Sequence, residues 1–408
     1  MCPGRVGHGE NAPAIPRSWL DRALRRRIDV RMMRHLLAPL LILLLVACSP
    51  RGEFVMVDQM PPEKAAAAAA TGVREVVFVG TSRKKAEGAT GFGYGRSDAA
   101  TFLRVDVRVP PDRKVGEVNW PANARRADPD KEFLTYAETV YERPEDFRKA
   151  LRGAMDIRKQ RDVVVYVHGF NNTMAESVYR VAQMHTDLKV PGVAVHYSWP
   201  SRGSALGYVY DRDSALFARD GLEDLLNQVA MAGANRIIIV AHSMGGALTM
   251  ESLRQVYLSR DHQVIRHLGG VVLLSPDLDV DLFRAQARAI GKLPDPFIIF
   301  GNTRDTVLNI SSKLSGAPDR LGNLKNLTPI SDLDVTYLDT SAFSVDGGHF
   351  NLGNSPALIQ LLGGIANIDA AFRAEAAARV GLLPGVVLTV RNATGIILAP
   401  VEGLATQN

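Results

Sequence analysis

Ser243 stands in Val240-Ala241-His242-Ser243-Met244-Gly245-Gly246, directly after the apolar run 237–240 and just before a helix-compatible pattern that begins at Ala247. A serine on a sharp strand-to-helix turn presents its Oγ at the end of the strand, the setting of a nucleophile in acyl transfer. Small residues are needed around it, because the two backbones approach closely at a strained turn and a large side chain would clash. The pattern departs from Gly-x-Ser-x-Gly at its first position, where Ala241 replaces glycine.

A serine hydroxyl is a poor nucleophile without a base, and the base must itself be held by a carboxylate. For a serine on such a turn the expected chain order is Ser, then Asp or Glu after a late strand, then His in a loop nearer the C-terminus. Asp305 follows the apolar run 297–300, and His349 lies in Asp346-Gly347-Gly348-His349-Phe350, so both fit that order. Asp277 and Asp279 compete for the acid role from the loop after 271–274; Asp305 is preferred because it follows the later strand, beside the polar turn residues Asn302 and Thr303. His242, His168 and His196 compete for the base role, but each adjoins a strand end rather than occupying a late loop. The oxyanion of acyl transfer needs preorganised backbone donors. The amide of Met244 is expected to be one. The other is expected from His168-Gly169-Phe170-Asn171-Asn172, after the run 163–167, where His-Gly resembles the oxyanion loop of esterases and lipases; that resemblance implies the amide of Phe170 or Asn171.

This constellation predicts cleavage of a carboxylic ester through an acyl-enzyme that water resolves. An acyltransferase would use the same three side chains with an alcohol as acceptor, whereas a non-catalytic envelope scaffold has no need of all three. The absence of a long apolar lid between the strands favours short or medium acyl esters over long-chain lipids, in a small-molecule or lipid-like substrate. Asp277-Leu278-Asp279-Val280-Asp281 lacks the glycine and spacing of a calcium loop and has no histidine pair beside it, so no metal and no cofactor are expected.

The elements that must position these residues are legible from residue 162 onward. Apolar runs at 163–167, 193–197, 236–240, 270–274 and 297–300 alternate with amphipathic stretches such as 215–231. That alternation predicts a doubly wound α/β architecture, a mostly parallel sheet with helices on both faces. Further strand signals lie at 75–80 and 102–109, with Gly91-Phe92-Gly93-Tyr94-Gly95 between them as a turn or hairpin loop. Asp213 is placed to cap the long helix, with Arg212 or Tyr208 bordering the acyl pocket as the functional alternative; Trp199 is expected to pack on the sheet. The folded domain is assigned to 73–365. Residues 366–408 form a C-terminal extension, with a helix-like stretch at 368–380 and apolar segments at 386–390 and 394–398 that are either a hairpin or surface-seeking.

The chain has 408 residues, 46% hydrophobic and 22% charged, which is enough for a large core. Arg25-Arg26-Arg27 and Arg34 precede the apolar run 36–47, which ends in Leu45-Val46-Ala47-Cys48. This is a signal-sequence pattern, too short to span a bilayer comfortably, and it resembles the lipobox of bacterial lipoproteins with Cys48 as the lipidated residue. Translation from Met32 or Met33 would place a short basic region directly before the apolar run and make residues 1–31 an over-called start. Residues 1–47 are thus read as a removed prefix and 48–72 as a lipidated tether, which anchors the enzyme to a membrane of the cell envelope, on the periplasmic side in a Gram-negative cell. Residues 1–47 hold eight Lys/Arg and three Asp/Glu, so the whole formal surplus of +5 sits in the prefix and argues for no nucleic-acid partner. The two cysteines are Cys2 and Cys48, which leaves neither a disulfide nor a thiolate site in the processed chain.

Val167-His168-Gly169-Phe170-Asn171, Tyr197-Ser198-Trp199-Pro200-Ser201, Tyr210-Asp211-Arg212-Asp213-Ser214 and Ala241-His242-Ser243-Met244-Gly245 together resemble a bacterial α/β-hydrolase family classed as a domain of unknown function, an esterase/lipase-superfamily group. The resemblance runs from about Val76, through Phe78-Val79-Gly80-Thr81-Ser82-Arg83, to about His349. It implies the α/β-hydrolase fold and a Ser-Asp-His triad, and no particular substrate.

Overall fold

The computed structural model describes residues 53–86, 91–316, 319–344, 346–363, 385–390 and 393–398. The prefix 1–47, Cys48 and the helix-like stretch 368–380 lie outside the described residues.

The strands are β1 (Val73–Lys85), β2 (Phe92–Val109), β3 (Leu134–Tyr141), β4 (Asp162–Val167), β5 (Val193–Ser198), β6 (Arg236–His242), β7 (Leu268–Leu274), β8 (Phe297–Gly301), β9 (Thr336–Asp339), β10 (Gly385–Val390) and β11 (Ala393–Leu398). They form one sheet in the order β10-β11-β9-β8-β7-β6-β4-β5-β1-β2-β3. From β1 across to β11 every neighbouring pair is parallel, and antiparallel pairs occur at the two ends: β1 with β2, β2 with β3, and β10 with β11. The apolar segments near the C-terminus are therefore a hairpin, and β11 adds to the sheet beside β9.

The helices are α1 (Pro62–Ala70), α2 (Pro144–Arg158), α3 (Met174–Asp187), α4 (Tyr208–Phe217), α5 (Arg219–Met231), α6 (Met244–Leu258), α7 (His262–His267), α8 (Val280–Ile290), α9 (Thr306–Ser315), α10 (Asn351–Asn354) and α11 (Pro356–Gly363). Side chains alternate across each strand, so successive residues enter different cores. Val163, Val165 and Val167 pack with Ile237, Ile239 and Ala241 against Leu151 of α2, Leu225 of α5, Leu248 of α6 and Phe283 of α8. Val164 and Tyr166 face the other way, with Val178 and Ala182 of α3 and Leu358 of α11. This double burial explains why the central strands read as unbroken apolar runs.

Four local expectations change. Residues 92–95 belong to β2, with Phe92 opposite Lys85, rather than to a loop. Val57, Met60 and Ala68, in the segment read as a tether, are buried with Leu134 of β3, so the folded unit begins before residue 73. The stretch 215–231 is not one helix, because the chain turns at Ala218 between α4 and α5. Asp213 is not a cap either: α4 already starts at Tyr208, with Gly207 before it, and Asp213 is an exposed residue inside the helix.

Because β4 to β8 are parallel, the loops after Val167, Ser198, His242, Leu274 and Gly301 emerge together at the carboxyl edge of the sheet, the usual place for a ligand in open α/β sheets.

Candidate active site

Ser243 follows the last residue of β6 and adopts φ +53, ψ −123, a conformation costly for a residue with a Cβ. Neighbouring backbone holds it there. Its amide donates to Leu274 O at 2.9 Å, and its carbonyl accepts from the amides of Gly246 at 2.9 Å and Asp277 at 3.1 Å. The glycine requirement is steric at Gly245, where an added Cβ would lie 2.3 Å from His168 O and 2.7 Å from Val167 O. At the first motif position the fold accepts a methyl, and Ala241 is fully buried in the core.

His349 is drawn to this turn from the loop after β9. Its Nε2 lies 2.9 Å from Ser243 Oγ, and its Nδ1 lies 2.7 Å from Asp305 Oδ2. A carboxylate only accepts, so the imidazole proton belongs on Nδ1 and the Nε2 lone pair faces the serine hydroxyl. Asp305 is fully buried, and its other oxygen caps α9 by accepting the Leu308 amide at 2.9 Å. The structure thus brings Ser243, His349 and Asp305 into one hydrogen-bonded line, an arrangement able to take a proton from the hydroxyl as it attacks a carbonyl.

The competing residues have other partners. Asp277 accepts from Tyr208 OH at 2.9 Å and Ser311 Oγ at 2.6 Å, and it pairs with Arg320 Nε at 3.2 Å. Asp279 caps α8 through the Leu282 amide. His196 sits between Tyr166 O at 3.0 Å and Ser177 Oγ at 2.9 Å, and burial pushes it down to about 3. His168 stacks on Trp199 with ring centroids 4.8 Å apart, and burial, then the Arg83 charge, hold it well below the usual histidine range. Trp199 is fully buried and donates its indole N–H to His168 O at 2.6 Å. His242 is likewise kept neutral, by burial first and by His349 second, and its Nε2 donates to His349 O at 3.2 Å. It brackets the late histidine from below.

A second bracket, Asn302, was visible in the sequence only as a polar turn residue. Its Nδ2 donates to Gly348 O at 2.8 Å and to Ser344 Oγ at 2.9 Å, which ties the acid loop to the histidine loop. The neighbouring Gly347 and Gly348 have φ +82 and +75, a turn that glycine makes without steric cost.

Of the expected oxyanion donors, Met244 opens α6, where its amide has no acceptor within the helix. Asn171 requires a correction: its amide already donates to Asp211 Oδ2 at 3.1 Å, so a carboxylate holds the proton that an oxyanion would need. Phe170 is left of that pair. Its loop runs close to the serine, since a Cβ at Gly169 would lie 2.8 Å from Ser243 Cβ and from His242 Nδ1. A cavity of about 180 Å³ is bordered by Gly169, Arg180, His242 and Phe350, and its lining does not include Ser243, Met244, Phe170 or His349. Tyr208 packs edge-on against Phe170, with centroids 5.5 Å apart.

Residues 143–357 match the model of a family described as alpha/beta hydrolase of unknown function (DUF900). None of the curated proteins matches the chain. Among solved structures, the chain is similar to an esterase from Pyrobaculum calidifontis, with 12% identity and a TM-score of 0.36, over 89% of this chain and 99% of that one. It is also similar to fungal esterases from Rhizomucor miehei, with 12% identity and a TM-score of 0.31, over 89% of this chain and 98% of that one. An alpha-beta serine hydrolase homologue from Coxiella burnetii shares 12% identity at a TM-score of 0.32, over 64% of this chain and 91% of that one.

Proposed function

As the chain belongs to the DUF900 family of α/β hydrolases, we propose that it is a serine hydrolase of carboxylic esters with Ser243 as nucleophile, His349 as general base and Asp305 as the acid that orients it. One observation carries this reading: His349 bridges Ser243 Oγ and the buried Asp305 carboxylate, with each nitrogen within 3 Å of its partner. As Oγ attacks the ester carbonyl, His349 Nε2 takes its proton, and Asp305 stabilises the imidazolium that forms. The amides of Met244 and Phe170 receive the oxyanion. His349 then gives the proton to the departing alkoxide, and water, deprotonated by the same imidazole, releases the acid from the acyl-enzyme. Short or medium acyl groups are the expected substrates, since the sequence carries no long apolar lid between the strands. The enzyme works from a membrane of the cell envelope, tethered through a lipid on Cys48.

A fluorophosphonate probe tests the nucleophile. Wild-type protein should label at one serine and Ser243→Ala should not; a folded wild type that stays unlabelled, or equal labelling of the variant, refutes the assignment. A series of p-nitrophenyl esters of increasing chain length should show kcat/KM highest for the short acyl groups. The tether is a separate matter: Cys48→Ser should abolish membrane partitioning, and unchanged partitioning would overturn it.

A further inference from the structure

The loop that carries Phe170 is held by two buried charges from distant parts of the chain. Asp211, fully buried in α4, accepts the Asn171 amide at 3.1 Å and Ser201 Oγ at 2.6 Å on Oδ2, and the Arg202 amide at 2.7 Å on Oδ1. Ser201 Oγ in turn accepts the Asn172 amide at 3.1 Å. Arg83, buried at the end of β1, donates to Asn172 O at 2.8 Å, to Ser201 O at 2.9 Å and to Ser198 Oγ at 2.9 Å. Burial pushes Arg83 down to about 10 while Asp211 opposes that shift, so it remains charged at neutral pH.

These contacts bear on the Phe170 amide through its neighbours, since Asp211 holds the Asn171 amide and Arg83 holds the Asn172 carbonyl. A peptide unit is planar and trans, so the N–H of one residue points opposite to the C=O of the residue before it. Gly169 O accepts from Asn172 Nδ2 at 3.2 Å and lies 2.8 Å from His168 Nδ1. Both His168 nitrogens lie near carbonyls and a neutral imidazole donates only once; the Arg83 guanidinium, 3.5 Å from Nε2, favours the lone pair there and the proton on Nδ1. With Gly169 O held, the Gly169–Phe170 peptide plane is fixed, and with it the direction of the Phe170 N–H. The next peptide is fixed the same way, because Asp211 takes the Asn171 N–H while Phe170 O accepts Asn172 Nδ2 at 2.8 Å. Asn171 holds φ +60 between them, a conformation that needs such support.

We propose that Asp211 and Arg83 are positioning residues that pre-set the oxyanion donor at Phe170, an inference that rests on the reading of Ser243 as the nucleophile. They touch no reacting atom. Their effect is to keep the loop from turning the Asn171 amide toward the cleft in place of that of Phe170.

The test is Asp211→Asn, a near-isosteric change. Both carboxylate oxygens only accept in the structure, so an amide nitrogen on either side meets a donor. Kinetics on a p-nitrophenyl ester, normalised to fluorophosphonate-titrated sites, should show kcat reduced on the order of 10- to 100-fold with KM within about 2-fold, as for a displaced oxyanion donor. The Ki of a trifluoromethyl ketone, whose adduct with the serine carries an oxyanion, should rise by the same factor. A merely structural role would lower the melting temperature and the number of titratable sites without moving kcat per site or that Ki. Ser201→Ala, which removes the hydroxyl linking Asp211 to Asn172, should act in the same direction more mildly, and it decides the matter if Asp211→Asn does not fold. Unchanged kcat per site and Ki in the folded variant, or a loss confined to KM, overturns the proposal. A wild type that is not labelled at Ser243 removes the nucleophile reading itself, which is a distinguishable result.

Discussion

Replacing Asp305 by asparagine sets the two duties of that side chain against each other. One oxygen accepts the Leu308 amide and caps α9, and the other accepts the proton on His349 Nδ1. Asparagine has a single acceptor oxygen. If that oxygen keeps the cap, the NH2 group faces His349 Nδ1, the imidazole proton moves to Nε2, and the lone pair that faced Ser243 Oγ is lost. If the amide flips to serve His349, its NH2 opposes the Leu308 amide and the cap fails, at about 0.5–2 kcal/mol. The first arrangement avoids that cost, so Asp305→Asn should fold with a melting temperature close to that of the wild type while kcat falls on the order of 10⁴-fold. That factor corresponds to about 5 kcal/mol of transition-state stabilisation. The assay is hydrolysis of a short p-nitrophenyl ester with kcat and KM measured separately, alongside thermal unfolding followed by circular dichroism. Activity within 10-fold of the wild type would refute the reasoning. So would an equal kcat loss in folded Asp277→Asn, because Asp277 is committed to Tyr208, Ser311 and Arg320.

Two further outcomes follow from contacts around the site. Gly245→Ala should cost at least about 3 kcal/mol, or prevent folding, because its Cβ would press into two backbone carbonyls; Ala241→Gly should cost only about 1 kcal/mol and keep probe labelling, and denaturant melts compare them. Stability should also fall on acidification. His185 and His196, ordinarily near 6.5, are pushed by burial down to about 4 and about 3. The unfolded chain therefore binds their protons first, and folding loses free energy as pH drops from about 6.5 to those values. Urea midpoints measured from pH 7 to pH 4 should decline steadily, and His196→Gln should flatten the slope; a pH-independent midpoint would contradict the assignment.

The strand-turn-helix around Ser243 was legible because its causes are local. A positive φ at the serine and a helix starting at Met244 demand small neighbours, and doubly buried strands demand unbroken apolar runs, so both leave marks within a few residues. The chain order of Ser243, Asp305 and His349 was equally open to reading. What each polar side chain bonds to was not, because the partners are far apart in sequence. His242 looked like a rival base and instead holds His349 O from 107 residues away. Asp277 looked like a rival acid until Arg320 and Ser311 were seen to take it. Asn171 was as plausible an oxyanion donor as Phe170, and only the return of Asp211 beneath the loop separates them. Arg83 carried no chemical signal at all, since its meaning lies in carbonyls contributed by Asn172 and Ser201. Local sterics and burial write themselves into residue types, whereas a hydrogen bond between distant segments depends on how the sheet brings its carboxyl-end loops together, and that is settled only in three dimensions.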